Sequence, residues 1–222
     1  MGIRRVVRPV FLVSKTPYPG VIHIPVLSIR FLTPPIDFSQ YDGIVFTSKQ
    51  GIEALHNYDV EWKELQCVCV SEPTAEHARR AGVANVVAGN GYGESLPDVL
   101  GRFGTRKRWI YLRPETVASD WAEHARNEKG ISVDEAIVYE TVCNADSGGI
   151  EVPEDAVLVF TSPSSVRCYL ERYALLDTHT VVAIGTTTEK SLPKGIAART
   201  SAETSVSSAV KLACEIAGAD KK

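Results

Sequence analysis

The feature that most constrains this chain is an internal repeat. Ile44-Val45-Phe46-Thr47-Ser48 matches Leu158-Val159-Phe160-Thr161-Ser162, with position 44 falling on 158, an offset of 114 residues. The same offset carries Val68-Cys69-Val70-Ser71-Glu72-Pro73-Thr74 onto Val182-Ala183-Ile184-Gly185-Thr186-Thr187-Thr188. A repeat fixes architecture before any local assignment, because each copy must be a structural unit of its own. Both copies read as an apolar run, a Ser/Thr turn, an amphipathic stretch, then a second apolar run and polar turn. Uninterrupted apolar runs such as Ile44 to Phe46 and Val157 to Phe160 suit strands buried on both faces, as in parallel sheets covered by helices. The alternation with amphipathic stretches makes the expected class α/β.

A chain of 222 residues is long for one core and comfortable for two. In the first copy the series continues through a strand at 85–88, a helix at 94–103, a strand at 109–112 and a helix at 117–129, with Gly130 placed to end that helix. In the second copy it continues through a strand at 196–199 and a helix near 203–216. The second copy is short of strands, and the N-terminal run Val10 to Val13 has no sheet of its own. One discontinuous domain solves both problems: residues 1–25 plus 144–222, with a second domain at 28–142 inserted between crossing segments near 25–29 and 138–142. A single nine-stranded sheet is the alternative.

Composition narrows the function classes. With 24 Lys+Arg against 27 Asp+Glu, the chain lacks the basic footprint that nucleic acid requires; Thr105-Arg106-Lys107-Arg108, the one dense basic run, reads as a solvated strand entry. No stretch approaches the roughly 20 apolar residues of a membrane span. Arg4, Arg5 and Arg8 precede Val10-Phe11-Leu12-Val13, too short for the apolar centre of a signal peptide, so a cytoplasmic location is expected. The five cysteines agree, being odd in number with no Cys-x-x-Cys pair. Cys67 and Cys69 read as alternating core residues, and the scattered histidines give no metal-ligand spacing, so no metal is expected.

Ligands of open α/β sheets gather beyond the C-terminal strand ends, where helix N-termini present free N–H groups. The repeat puts hydroxyl residues there four times: Thr47/Ser48, Ser71/Thr74, Thr161/Ser162/Ser164 and Thr186/Thr187/Thr188. Helix capping accounts for any one of them; four together suggest a cleft holding an anionic ligand through neutral donors. Gly89-Asn90-Gly91-Tyr92-Gly93-Glu94 follows a strand, but Glu94 stands where a dinucleotide fingerprint needs its third glycine and would repel a pyrophosphate. Neither copy has a P-loop, and there is no Gly-x-Ser-x-Gly elbow.

Taken in order, Phe46-Thr47-Ser48, Ile110-Tyr111-Leu112-Arg113, Val138-Tyr139-Glu140-Thr141, Phe160-Thr161-Ser162-Pro163-Ser164 and Ala183-Ile184-Gly185-Thr186-Thr187-Thr188 resemble the uroporphyrinogen-III synthase family over residues 40–210. The resemblance implies two Rossmann-like or flavodoxin-like parallel-sheet domains, one discontinuous, joined by a two-stranded β-ladder. It implies a cofactor-free lyase reaction of porphyrin and heme biosynthesis, in which hydroxymethylbilane loses its terminal hydroxyl as water and closes with inversion of ring D through a spiro intermediate. Tyr139 matches the family's acid, and a phenol of pKa near ~10 is protonated at neutral pH. Substrate contacts carry over to Thr74, Ser162, Thr187 and Thr188, with Ser48 and Ser164 as neighbours. Arg113 could clamp a carboxylate in bidentate fashion or form a salt bridge with Glu115 or Asp120. The implied partner is the small-molecule bilane, with no nucleic acid or membrane, a monomeric state, and a transient contact with hydroxymethylbilane synthase. One departure stands out: residues 14–20 run directly to the next apolar segment, where the family has a helix. A non-catalytic module for an anionic metabolite or phosphosugar is the alternative function.

The implied substrate is a polyanion, whereas the formal charge of the chain is −3. Residues 26–142 hold 12 basic and 17 acidic residues, and the flanking segments hold 12 and 10. Recognition should therefore rest on hydroxyls, backbone amides and a few placed arginines rather than on a general field. A shallow dependence of the Michaelis constant on ionic strength is the expected result; a steep one would contradict this reading.

Overall fold

The computed structural model describes residues 8–59, 61–117, 119–146 and 149–219; Arg4 and Arg5 lie outside them. The chain forms two compact units, Met1–Ser28 with Val142–Lys222, and Ile29–Thr141 between. No helix among the described residues is long and apolar enough to cross a membrane.

The terminal unit is built on β1 (Val10–Val13), β2 (Ile22–Ile24), β9 (Val157–Phe160), β10 (Thr180–Ala183) and β11 (Ala198–Thr200). These form a sheet in the order β11-β10-β9-β1-β2, with parallel pairing throughout. The N-terminal run therefore completes the sheet of the second copy. Helix α7 (Val206–Ala219) covers one face, packing Ala209, Ala213 and Ile216 on Leu12, Val157, Val159 and Val182. Helix α5 (Pro163–Leu170) covers the other with Val166 and Tyr169 against Phe11, Val13, Leu158 and Phe160. Successive residues of one strand thus go to opposite cores, which is why β9 is apolar at every position. The short helix α6 (Thr186–Glu189) follows β10. Residues 14–21 join the parallel neighbours β1 and β2 without a helix, as the sequence indicates, and Gly20 turns the chain at φ 83°. Strands this short leave little length to retrace.

The central unit holds β4 (Gly43–Phe46), β5 (Gln66–Cys69), β6 (Val86–Ala88) and β7 (Arg108–Pro114). Two strands that run across the boundary, β3 (Leu27–Phe31) and β8 (Ser132–Cys143), complete a sheet in the order β3-β8-β7-β4-β5-β6. Helices α1 (Lys49–Ala54) and α2 (Glu72–Arg80) cover the face that carries Ile44, Phe46, Cys67, Cys69, Ile110 and Leu112. Helices α3 (Leu96–Gly101) and α4 (Trp121–Lys129) cover Val45, Val68, Trp109 and Tyr111. Each fully buried aliphatic or aromatic side chain contributes about 1.5–3 kcal/mol. Burial pushes the Cys67 and Cys69 thiols up to about 12, consistent with core residues. Gly130 ends α4 in the left-handed region at φ 63°, where an L side chain would be strained.

One local irregularity positions the chemistry. Between β7 and β8 the register runs Leu112↔Ala136 and Arg113↔Ile137, then jumps to Pro114↔Tyr139. Val138 is the extra residue of a β-bulge. Val133 packs on the α3/α4 face and Ala136 and Val138 on the α1/α2 face, so simple alternation would send Tyr139 to the side of Val133. The bulge instead places consecutive residues Val138 and Tyr139 in the same core.

Cys143, at the end of β8, is disulfide-bonded to Cys168 of α5, a pairing that the cysteine count and spacing did not signal. The Glu171 carboxylate lies 3.2 Å from Cys143 Sγ. These three residues could in principle supply ligand atoms for a metal, but the two sulfurs are bonded to each other. Closing a loop with a sequence separation of 25 restricts the unfolded chain by about 3.5 kcal/mol. Cys143→Ala is expected to lower unfolding free energy by about 2–4 kcal/mol in oxidising buffer. A dithiol reductant should bring the wild type to the same value, both read by denaturant titration; equal stability of variant and oxidised wild type would refute the assignment.

Candidate active site

The central sheet reverses direction of growth at β4: α1 leads to β5 on one side, while β7 lies on the other. Such a switch point leaves a crevice at the carboxyl ends of the strands. A cavity of about 310 Å³ occupies it. Thr47 and Ser48 reach it from the end of β4, Tyr111 and Pro114 from β7, and Tyr139 from the bulged β8. Gly91 and Gly93, from the turn after β6, form part of the wall. Thr116, Val117, Ser119 and Trp121 close the side leading into α4. Among the described lining residues none is charged, and six carry hydroxyls.

Tyr139 is 6% exposed. Burial raises its pKa above the ordinary 10.0, and the Ser48 hydroxyl works against that shift. Ser48 is also the N-cap of α1, accepting the Gln50 amide at 3.3 Å. Behind it, Gly51 passes close to β7: an added Cβ would come within 2.9 Å of the Leu112 carbonyl oxygen. The Tyr111 hydroxyl bonds Thr47 Oγ1 at 2.8 Å, and its ring packs on Trp121 with centroids 4.8 Å apart. Burial raises the Tyr111 pKa as well.

Of the residues singled out in the sequence, the structure brings Thr47, Ser48 and Tyr139 together in this cavity. Thr74 is buried in α2, with its hydroxyl 3.2 Å from Ser71 Oγ, and is not in the cavity wall. Arg113 Nη1 donates to the carbonyls of Pro114 and Glu115, and its Nε lies 2.8 Å from Glu135 Oε2, close but poorly aligned for a hydrogen bond. Its acidic partner is therefore Glu135, which also pairs with Arg126, rather than Glu115 or Asp120. A clamp on substrate would require the guanidinium to leave these groups.

The remaining candidates lie on the terminal unit, at the carboxyl ends of β9 and β10. Ser162 caps α5 in a reciprocal capping box with Ser165. Ser164 stands in the first turn of the same helix, half-buried. On α6, Thr187 is exposed and Thr188 is buried. Sequence reasoning missed Tyr111 and Trp121 as parts of a site. Tyr111 sits inside a quoted motif, but its side chain was indistinguishable from core packing, and nothing local marks Trp121.

The fold is shared with solved structures. A uroporphyrinogen-III synthetase from Helicobacter pylori 26695 superposes with a TM-score of 0.75 at 21% identity, covering 94% of this chain and 99% of that one. A mutant uroporphyrinogen III synthase from the extremely thermophilic bacterium Thermus thermophilus does so with a TM-score of 0.50 at 16% identity, covering 94% and 99%. No curated protein sequence gives a significant match. A family model described as uroporphyrinogen-III synthase HemD matches residues 20–211. Because that match spans most of the chain, including both copies of the repeat and the strand that carries Tyr139, the chain belongs to the uroporphyrinogen-III synthase HemD family.

Proposed function

We propose that the protein closes hydroxymethylbilane to uroporphyrinogen III, with loss of water and inversion of ring D, and that Tyr139 donates the first proton. The observation that carries this is a buried phenol, its pKa pushed up by that burial, beside Ser48 in a cavity whose described lining is uncharged. The terminal hydroxyl of the bilane takes the phenol proton and leaves as water, while the pyrrole nitrogen's electron pair forms an azafulvene cation. The cation is attacked by the substituted carbon of ring D, giving a spiro intermediate. That intermediate breaks its bond to the old bridging carbon and recloses at the free position, and the ring proton released on rearomatisation returns to the phenolate. One water is lost and no electrons are exchanged.

Most of the benefit comes from orientation. The bilane closes unaided into the unrearranged isomer, so holding ring D in attacking geometry decides the product, and positioning of this kind can lower a barrier by several kcal/mol, up to about 7–11 in well-oriented systems. Thr74, Ser162, Ser164, Thr187, Thr188 and Arg113 are proposed as further substrate contacts. The family match favours this reading over a non-catalytic module. We take the protein to act as a cytoplasmic monomer that receives its substrate in transient contact with hydroxymethylbilane synthase.

The test supplies hydroxymethylbilane and measures type III against type I uroporphyrinogen. An excess of type III is expected; a mixture equal to the protein-free control would defeat the proposal. Tyr139→Phe should lower turnover by about 10²-fold or more while the thermal transition is kept, and unchanged turnover would remove Tyr139 from the mechanism. The donor must be protonated, and its pKa lies above 10.0. Turnover should therefore show no basic limb from this group below about pH 10, measured as a pH–rate profile of wild type against Tyr139→Phe.

A further inference from the structure

Of the five cysteines of the chain, Cys67 and Cys69 are buried thiols and Cys214 an exposed one, while Cys143 and Cys168 are bonded to each other. Both bonded residues belong to the terminal unit, but they come from different elements: Cys143 ends β8, the strand that carries Tyr139, and Cys168 lies in α5. Cytoplasmic thiol pools keep most cysteines reduced, and a disulfide that forms in that compartment is usually a transient or sensing one. In a protein taken as cytoplasmic, this bond calls for a reason beyond the stability it adds.

The surroundings of the bond suit both redox states. Access is one-sided: Cys168 is 1% exposed, whereas Cys143 is half-buried at the rim of the same core. Each residue is also held without the bond. Val166 and Tyr169 pack α5 on the sheet, and beside Cys143 the Asn144 amide donates to the Val26 carbonyl at 2.8 Å while its side-chain nitrogen donates to the Pro25 carbonyl at 2.8 Å. Opening the bond therefore leaves the two sulfurs close together, and closure becomes an intramolecular step between groups already in place. Glu171 supplies what the open state needs. Its carboxylate lies 3.2 Å from Cys143 Sγ, an acceptor beside a sulfur that has no proton to give while the disulfide stands. Reduction creates that proton, and the thiol then donates to the carboxylate. Arg167, 3.7 Å from the same carboxylate oxygen, offsets part of its charge toward an incoming thiolate.

We propose that Cys143 and Cys168 form a reversible redox site, opened by a low-molecular-weight thiol of the glutathione class, whose state sets how readily the protein unfolds and is degraded. The proposal rests on the cytoplasmic placement taken above and not on the synthase reading. A thiolate of the reductant attacks Cys143 Sγ to form a mixed disulfide, and Cys168 leaves as a thiolate that takes up a proton. A second reductant thiol attacks the mixed disulfide and releases Cys143 as a thiol. Two electrons pass to the protein, and two reductant thiols become one disulfide.

Equilibration of the full chain with reduced and oxidised glutathione at millimolar concentration, approached from both directions, tests this. Free thiols are counted by alkylation after quenching and unfolding, three for the bonded form and five for the open one. About a hundredfold excess of reduced glutathione should open the pair in most molecules, and an excess of the oxidised form should close it again. Under native conditions a protease should cleave the open form about 30-fold faster or more than the bonded form, the population counterpart of the stability difference expected above. Cys143→Ala should be cleaved at the faster rate in either mixture. A bond that stays closed in the reducing mixture, while the unfolded chain is reduced there, would be a locked structural link and would overturn the proposal. Equal cleavage of the open and bonded wild type would overturn it as well, whether or not the variant folds. Thiol trapping in intact cells separates the bond from its compartment: a pair that glutathione opens in the purified protein, but that is closed in unstressed cells, would strike the cytoplasmic placement instead.

Discussion

Burial of both faces of a parallel sheet is the constraint on which the rest of this structure depends. Strands such as β4 and β9 send alternate side chains into two separate cores, so neither face can present chemistry. What remains available is the line of strand ends and the turns that follow them. That is where the hydroxyl residues stand in both units, and where the sheet order of the central unit leaves a cavity. The polar turns do two jobs at once. Ser48 and Ser162 terminate helices as caps, and the same oxygen atoms sit at the carboxyl edge of the sheet.

The architecture was legible because it follows from patterns of several residues. Apolar runs marked the strands, the offset of the repeat marked the two sheets, and the orphan run at 10–13 marked the strand that completes the second. Gly130 could be assigned because only one conformation at a helix end calls for glycine so strongly. The missing helix after β1 was visible as a segment too short to hold one.

Details that depend on a single residue were not legible. Strand periodicity cannot reveal where it is broken, so the bulge at Val138 had no signature, although it determines the face on which Tyr139 lies. The partner of Arg113 depended on which residue β8 sets beside β7 near Arg113, and pairing registers put Glu135 there instead of the acidic residues close in sequence. The Cys143–Cys168 bond joins a strand end to a helix 25 positions away, and odd cysteine counts say nothing about such pairs. Trp121 looked like a core residue because by packing it is one, and its place in the cavity wall is visible only in the fold.

The bulge has a consequence for how this protein can be compared with others. The face on which Tyr139 stands is a matter of parity: one residue more or fewer between Ser132 and Val138 would turn the phenol to the opposite core without altering a single chemical group. An alignment that slides a gap along this strand to improve identity can keep every tyrosine matched and still exchange inside for outside. In this strand, counting residues from the paired positions of β7 is a safer guide to equivalence than matching letters.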